Sequence, residues 1–162
     1  MILMDLITEY FLIVYFWLLP FIKRKPPANW GFGEKGNVIL IPGFQETYLS
    51  LYFVANYLNA NGYKIHIIQN FNSLAKIEQS FRKLEEFILK ISHDDLILLS
   101  HSKGGLIAKH FLDNSSATTK VAVSISIATP YMGTYIAKQR IINFYPSLDN
   151  HVIPNKNLLS NL

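Results

Sequence analysis

The chain has 162 residues, a formal charge of +4 and no cysteine; half of it is hydrophobic and 16% is charged. That length is the size of one domain, and the apolar content excludes a disordered chain. Missing thiols exclude disulfides, cysteine-ligated zinc and a cysteine nucleophile. The positive charge gathers in Lys23-Arg24-Lys25 and is otherwise scattered. No basic face interleaved with aromatics accompanies it, so no nucleic-acid partner is expected.

Ile2 to Ile22 reads ILMDLITEYFLIVYFWLLPFI. A helix needs about 20 mostly apolar residues to cross a bilayer, and this run is barely long enough. Asp5 and Glu9 lie near its start, where a tilted helix places them at the headgroups. Pro20 lies near its end, where a kink costs least. The run is read as a hydrophobic helix that anchors residues 1–24 to a membrane. Lys23-Arg24-Lys25 then hold the rest of the chain on the cytoplasmic side. A helix packed on the domain or lying in the interface is the other reading. A cleaved signal fits less well, because no basic n-region or small-residue cleavage site precedes the cluster. Pro26 and Pro27 stop any helix, and residues 25–36 read as a linker.

From Asn37 onward apolar runs alternate with helical periodicity. Val38 to Ile41 is a short apolar run ended by Pro42-Gly43, which suits a buried parallel strand. Tyr48 to Ala60 is expected to be a helix with Leu51, Val54 and Leu58 on one face, Thr47 as its cap and Asn61-Gly62 as its stop. Lys64 to Gln69 is the second strand. Ile77, Phe81, Leu84, Ile88 and Ile91 recur at helical spacing opposite a charged face. Asp95 to Ser100 is the third strand, Lys103 to Leu112 the third helix, and Asp113 to Thr118 a polar turn. Lys120 to Ala128 is the fourth strand, and Ile141 to Tyr145 is a candidate fifth. Strands separated by helices imply an α/β fold, with a parallel sheet and helices on both faces.

The chemistry is concentrated at Ser100-His101-Ser102-Lys103-Gly104-Gly105, between a buried strand and a helix. A sharp strand-to-helix turn lifts one side chain clear of the sheet. The residues two positions to either side must be small, here Ser100 and Gly104. Gly105 allows close packing. The helix start adds partial positive charge and open N–H groups beside the Ser102 hydroxyl.

Residues Val38 to Thr134 resemble the lipase and esterase branch of the α/β-hydrolase superfamily. SHSKGGLIAKHFL is similar to the family's GHSxGG helix start. Ile41-Pro42-Gly43-Phe44 resembles its His-Gly-X turn, with Pro42 in place of histidine. Ala128 to Thr134 resembles its Thr-Pro-His-x-Gly-Ser loop, with tyrosine for histidine. Asp149 to Pro154 resembles the segment that carries the catalytic acid. The motifs occur in the family's order.

The resemblance implies a serine hydrolase that cleaves carboxylic esters, with a lipid acyl group as the expected substrate, through an acyl-enzyme. Ser102 is then the nucleophile and Asp149 the acid. The main-chain N–H groups of Phe44 and Lys103 form the oxyanion hole. The Lys103 side chain itself reads as a solvated lysine at a helix start. Tyr48, Tyr131 and Met132 join Phe44 as substrate-pocket candidates, being apolar or amphipathic.

The base is left unassigned. His151 is only two residues from Asp149, His101 should point away from Ser102, His110 reads as packing, and His66 and His93 lie in or beside strands. The chain reads as a hydrolase core over residues 37–162 that stops before the final strand and histidine loop, with the base expected beyond Leu162. Without one, activity falls by about 10⁶-fold in a comparable triad. No cofactor or metal is expected, since there is no glycine-rich phosphate loop and no paired histidine–carboxylate spacing. Two other functions stay open. One is acyl transfer by the same nucleophile to an acceptor other than water. The other is a catalytically inactive, membrane-bound interaction module.

Overall fold

A computed structural model describes residues 25–133. Residues 1–24 and 134–162 lie outside the described residues. With them lie the expected membrane helix, the candidate fifth strand, Asp149 and His151. Among the described residues, no helix is long and apolar enough to cross a membrane.

Among the described residues, four parallel strands form one sheet: β1 (Gly36–Ile41), β2 (Tyr63–Ile67), β3 (Leu96–His101) and β4 (Val121–Ile127). Their order is β2-β1-β3-β4. β1 pairs with β2 from Gly36 opposite Tyr63, and with β3 from Asn37 opposite Leu96. Each strand agrees with an apolar run within one to two residues. Asp95 stands outside β3 with a φ of 58°, and the chain enters the strand at Leu96.

Three α-helices among the described residues connect these strands: α1 (Tyr52–Ala60), α2 (Ile77–Lys90) and α3 (Lys103–Asn114). The first is shorter than expected, because Tyr48–Leu51 is a 3-10 turn. Thr47 caps that turn, its hydroxyl accepting from the Leu49 N–H at 3.3 Å. The buried face of this segment is Leu51 and Ala55, while Val54, expected on it, is 39% exposed. α3 runs two residues past Leu112, and a further 3-10 turn, Ser116–Lys120, replaces much of the polar turn expected there.

Alternation along the strands sends side chains to two separate layers. Ile39, Ile41, Leu96 and Leu98 face α2 and α3, packing on Phe81, Leu84, Ile88, Ile107 and Phe111. Val38, Leu40, Ile65 and Leu99 face the other way, against Trp30, Leu51 and Ala55. Helices therefore cover both faces.

Trp30 ties residues 25–36, the segment read as a linker, to the core. It sits in a 3-10 turn, Ala28–Gly31, and is 1% exposed. Its ring packs on Tyr48 and Tyr52, with centroids 5.8 and 5.6 Å away, and its Nε1 donates to Asn56 Oδ1 at 2.7 Å. Asn59, at the end of α1, donates to the carbonyls of Asn29 and Phe32. Trp30 thus anchors the segment on α1, while most of its other residues stay exposed.

Candidate active site

In an open parallel sheet, ligands bind beyond the carboxyl ends of the strands, where the strand order reverses direction. Here the chain crosses from β1 to β2 on one side, and β3 then enters on the other side of β1. The crevice therefore lies between the ends of β1 and β3. The turn at Pro42-Gly43-Phe44 leaves β1 at that point, and Ser102 leaves β3.

Ser102 has φ 49° and ψ −122°, a conformation that costs an L-residue about 1–3 kcal/mol and persists only where its surroundings enforce it. The enforcement is visible on both sides. The Ser102 N–H donates to the Ile127 carbonyl of β4 at 2.9 Å. A Cβ on Gly104 would stand 2.2 Å from the Ile41 carbonyl oxygen, and one on Gly105 would stand 2.0 Å from Thr129 Oγ1. Only glycines let α3 start this close to the end of β1 and to the loop after β4. The half-buried Ser102 side chain makes no capping bond to its helix. The Lys103 N–H opens α3 without an intrahelical acceptor.

Ser100, standing where the motif has glycine, is fully buried. Its Oγ donates to the Ile125 carbonyl and lies 3.0 Å from Ser126 Oγ. Tyr131 donates its hydroxyl to the same Ser126 oxygen at 2.6 Å. The extra hydroxyl is thus paired beneath the turn, and one polar chain links Ser100 to the loop after β4. Non-glycine residues with positive φ recur at the carboxyl ends of the strands: Gln45 after β1, Asn70 after β2, Ser102 after β3 and Ala128 after β4.

Two side chains flank Ser102, and each ties down a different loop. Lys103 is the correction to the reading of a solvated lysine: it is 1% exposed. Its Nζ donates to the Ser73 carbonyl at 3.0 Å and to the Ala75 carbonyl, both in the loop after β2, and stands 5.8 Å from the Phe44 ring centroid. No carboxylate among the described residues forms a salt bridge with it. Burial pulls its pKa down to about 8. The aliphatic stem explains how a lysine fills an apolar space, and the carbonyls take up its charge.

His101, the residue before Ser102, is held by a carboxylate in the turn after β1. Its Nδ1 lies 2.8 and 2.9 Å from the two carboxylate oxygens of Glu46. The hydrogen bond to Glu46 raises the His101 pKa against the opposing effect of burial. Glu46 was missed in the sequence. A lone carboxylate three residues after Gly43 reads as a loop charge, and its partner is 55 positions away.

His110 and His66 stand elsewhere. His110 pairs with Glu78 at 2.9 Å and lies edge-on to Phe81. His66 bonds Asn37 Oδ1 through Nε2 at 2.8 Å, and burial lowers its pKa to about 4.

Among the pocket candidates, Tyr131 and Met132 are exposed, Phe44 is half-buried beside Lys103, and Tyr48 packs on Trp30. Among the described residues, no cluster of three His, Cys, Asp or Glu could hold a metal ion.

No family model and no curated protein matches the sequence. Solved structures do. The mature lipase BlEst2 of Bacillus licheniformis superposes with a TM-score of 0.60 at 20% identity, over 75% of this chain and 49% of that one. The metagenomic carboxyl esterase MGS0156 gives 0.57 at 18% identity, over 71% of this chain and 36% of that one. The α/β hydrolase MGS-MChE2, from the metagenome of lagoon sediments at Mar Chica, Morocco, gives 0.53 at 18% identity, over 85% of this chain and 64% of that one. The chain thus spans from about a third to just under two thirds of the length of these structures. Sheet order, the strained turn after β3 and these superpositions lead to one conclusion: the chain has the α/β-hydrolase fold.

Proposed function

We propose that this protein is a serine hydrolase that cleaves carboxylic esters, with Ser102 as its nucleophile. The observation that carries the reading is the strained Ser102 backbone between β3 and α3, wedged by two glycines that have no room for a side chain. Such strain is kept where it serves a site. The lipase and carboxyl esterase among the superposed structures support the reaction class.

In the proposed reaction, Ser102 Oγ attacks the ester carbonyl as its proton passes to a histidine base. The main-chain N–H groups of Lys103 and Phe44 receive the oxyanion, each donor contributing about 2.7–4 kcal/mol. Collapse expels the alcohol, which takes the proton, and leaves an acyl-enzyme that water then hydrolyses. Asp149, which lies outside the described residues, is proposed to orient the base. The exposed Tyr131 and Met132 favour an acyl chain as the group bound. We also propose that residues 2–22 hold the protein at a membrane with the hydrolase domain on the cytoplasmic side. This rests on the apolar run and the Lys-Arg-Lys cluster alone.

The test is reaction of the complete product of the coding sequence with a fluorophosphonate, followed by peptide mass spectrometry. Modification at Ser102, lost in Ser102→Ala, is the expected result. An unlabelled Ser102 would remove the enzyme reading and leave a binding module on a hydrolase fold. Vesicle flotation with and without residues 1–24 tests the anchor.

A further inference from the structure

Pro42 offers the turn after β1 no polar side chain, yet this turn must hold the Gly43–Phe44 peptide in one orientation if its N–H is to meet an oxyanion. Glycine is the residue most free to rotate, and Gln45 in the same turn carries a φ of 56°, a left-handed conformation that disfavours L-residues. Glu46 closes the turn twice. Its N–H donates to the Gly43 carbonyl at 3.3 Å, and its Oε2 accepts from the Gly43 N–H at 2.8 Å. The same carboxylate is held by His101, the residue before Ser102. Space is tight as well. A Cβ on Gly43 would stand 2.9 Å from both Glu46 Oε2 and Ser102 Cβ. Turn, carboxylate and nucleophile are therefore packed as one unit across the β1–β3 crevice.

We infer that Glu46, clamped by His101, is a positioning residue that locks the Gly43–Phe44 turn onto Ser102 and so preorganises the oxyanion-binding N–H of Phe44. Its catalytic meaning rests on the hydrolase reading. The lock itself does not.

Glu46→Gln keeps an oxygen for the Gly43 N–H; Glu46→Ala removes it. Two measurements on the full chain test the lock: hydrogen exchange at the Gly43 amide, and kcat and KM for a p-nitrophenyl ester. In Glu46→Ala, Gly43 exchange should quicken by about 10-fold for the lost bond. Its kcat should fall on the order of 10²-fold, as for a lost oxyanion donor, with KM nearly unchanged. Glu46→Gln should recover most of both. Unchanged Gly43 exchange in Glu46→Ala overturns the lock. Faster exchange with an unchanged kcat overturns its catalytic role. A wild-type chain that turns over no ester defeats the hydrolase reading instead, and Gly43 exchange then decides the lock by itself.

Discussion

Replacing Lys103 with methionine tests the buried ammonium directly. Methionine has similar length and flexibility, so the space stays filled. In the folded chain the lysine loses its proton near pH 8, against an ordinary value of 10.5. The unfolded chain therefore binds more protons between these values, and the stability of the wild type rises with pH across that window. The full effect is present above 10.5 and is lost as pH falls through about 8. At about 1.4 kcal/mol per pH unit of difference, the swing is on the order of 3 kcal/mol. Lys103→Met lacks this titration, so the stability difference between the two proteins should move by about that amount, in favour of the wild type, from pH 7.5 to 10.5. Urea unfolding at a series of pH values measures it. A difference that stays flat would mean that the ammonium is solvated and that the contacts to Ser73 and Ala75 do not bury it.

Three further outcomes are expected. His66, with its pKa lowered to about 4 by burial, should stay neutral in NMR titration well below pH 6.5; stability should drop as pH falls from 6.5 toward 4, and less so in His66→Gln. Gly105→Ala drives a Cβ into Thr129 and should cost about 1–3 kcal/mol by thermal unfolding, with slower fluorophosphonate labelling of Ser102. Trp30→Ala should cost about 3–5 kcal/mol, whereas a tryptophan in a free linker would cost almost nothing in the same melt.

Much of the fold is legible along the chain because its signals are local. The apolar runs VILI and LILL mark strands that are buried on both faces, and the spacing of Ile77, Phe81, Leu84 and Ile88 marks the buried side of α2. Ser102 is legible for a similar reason, since a small residue, a glycine pair and a preceding strand are adjacent in sequence. The exposure of Val54 and the burial of Trp30 fall where local pattern is weakest. A 3-10 turn changes the register ahead of α1, and a single aromatic between prolines and glycines gives no period to follow.

Backbone periodicity is carried by neighbouring residues, so the sequence by itself determined the alternating elements, the turn at Ser102 and the two glycines that permit it. Only the tertiary structure decided what surrounds that turn. Glu46 meets His101, and Lys103 meets Ser73 and Ala75, because the order β2-β1-β3 brings the ends of three strands to one edge. Contacts between residues 28 to 55 positions apart depend on how strands are ordered, and no local pattern encodes that order.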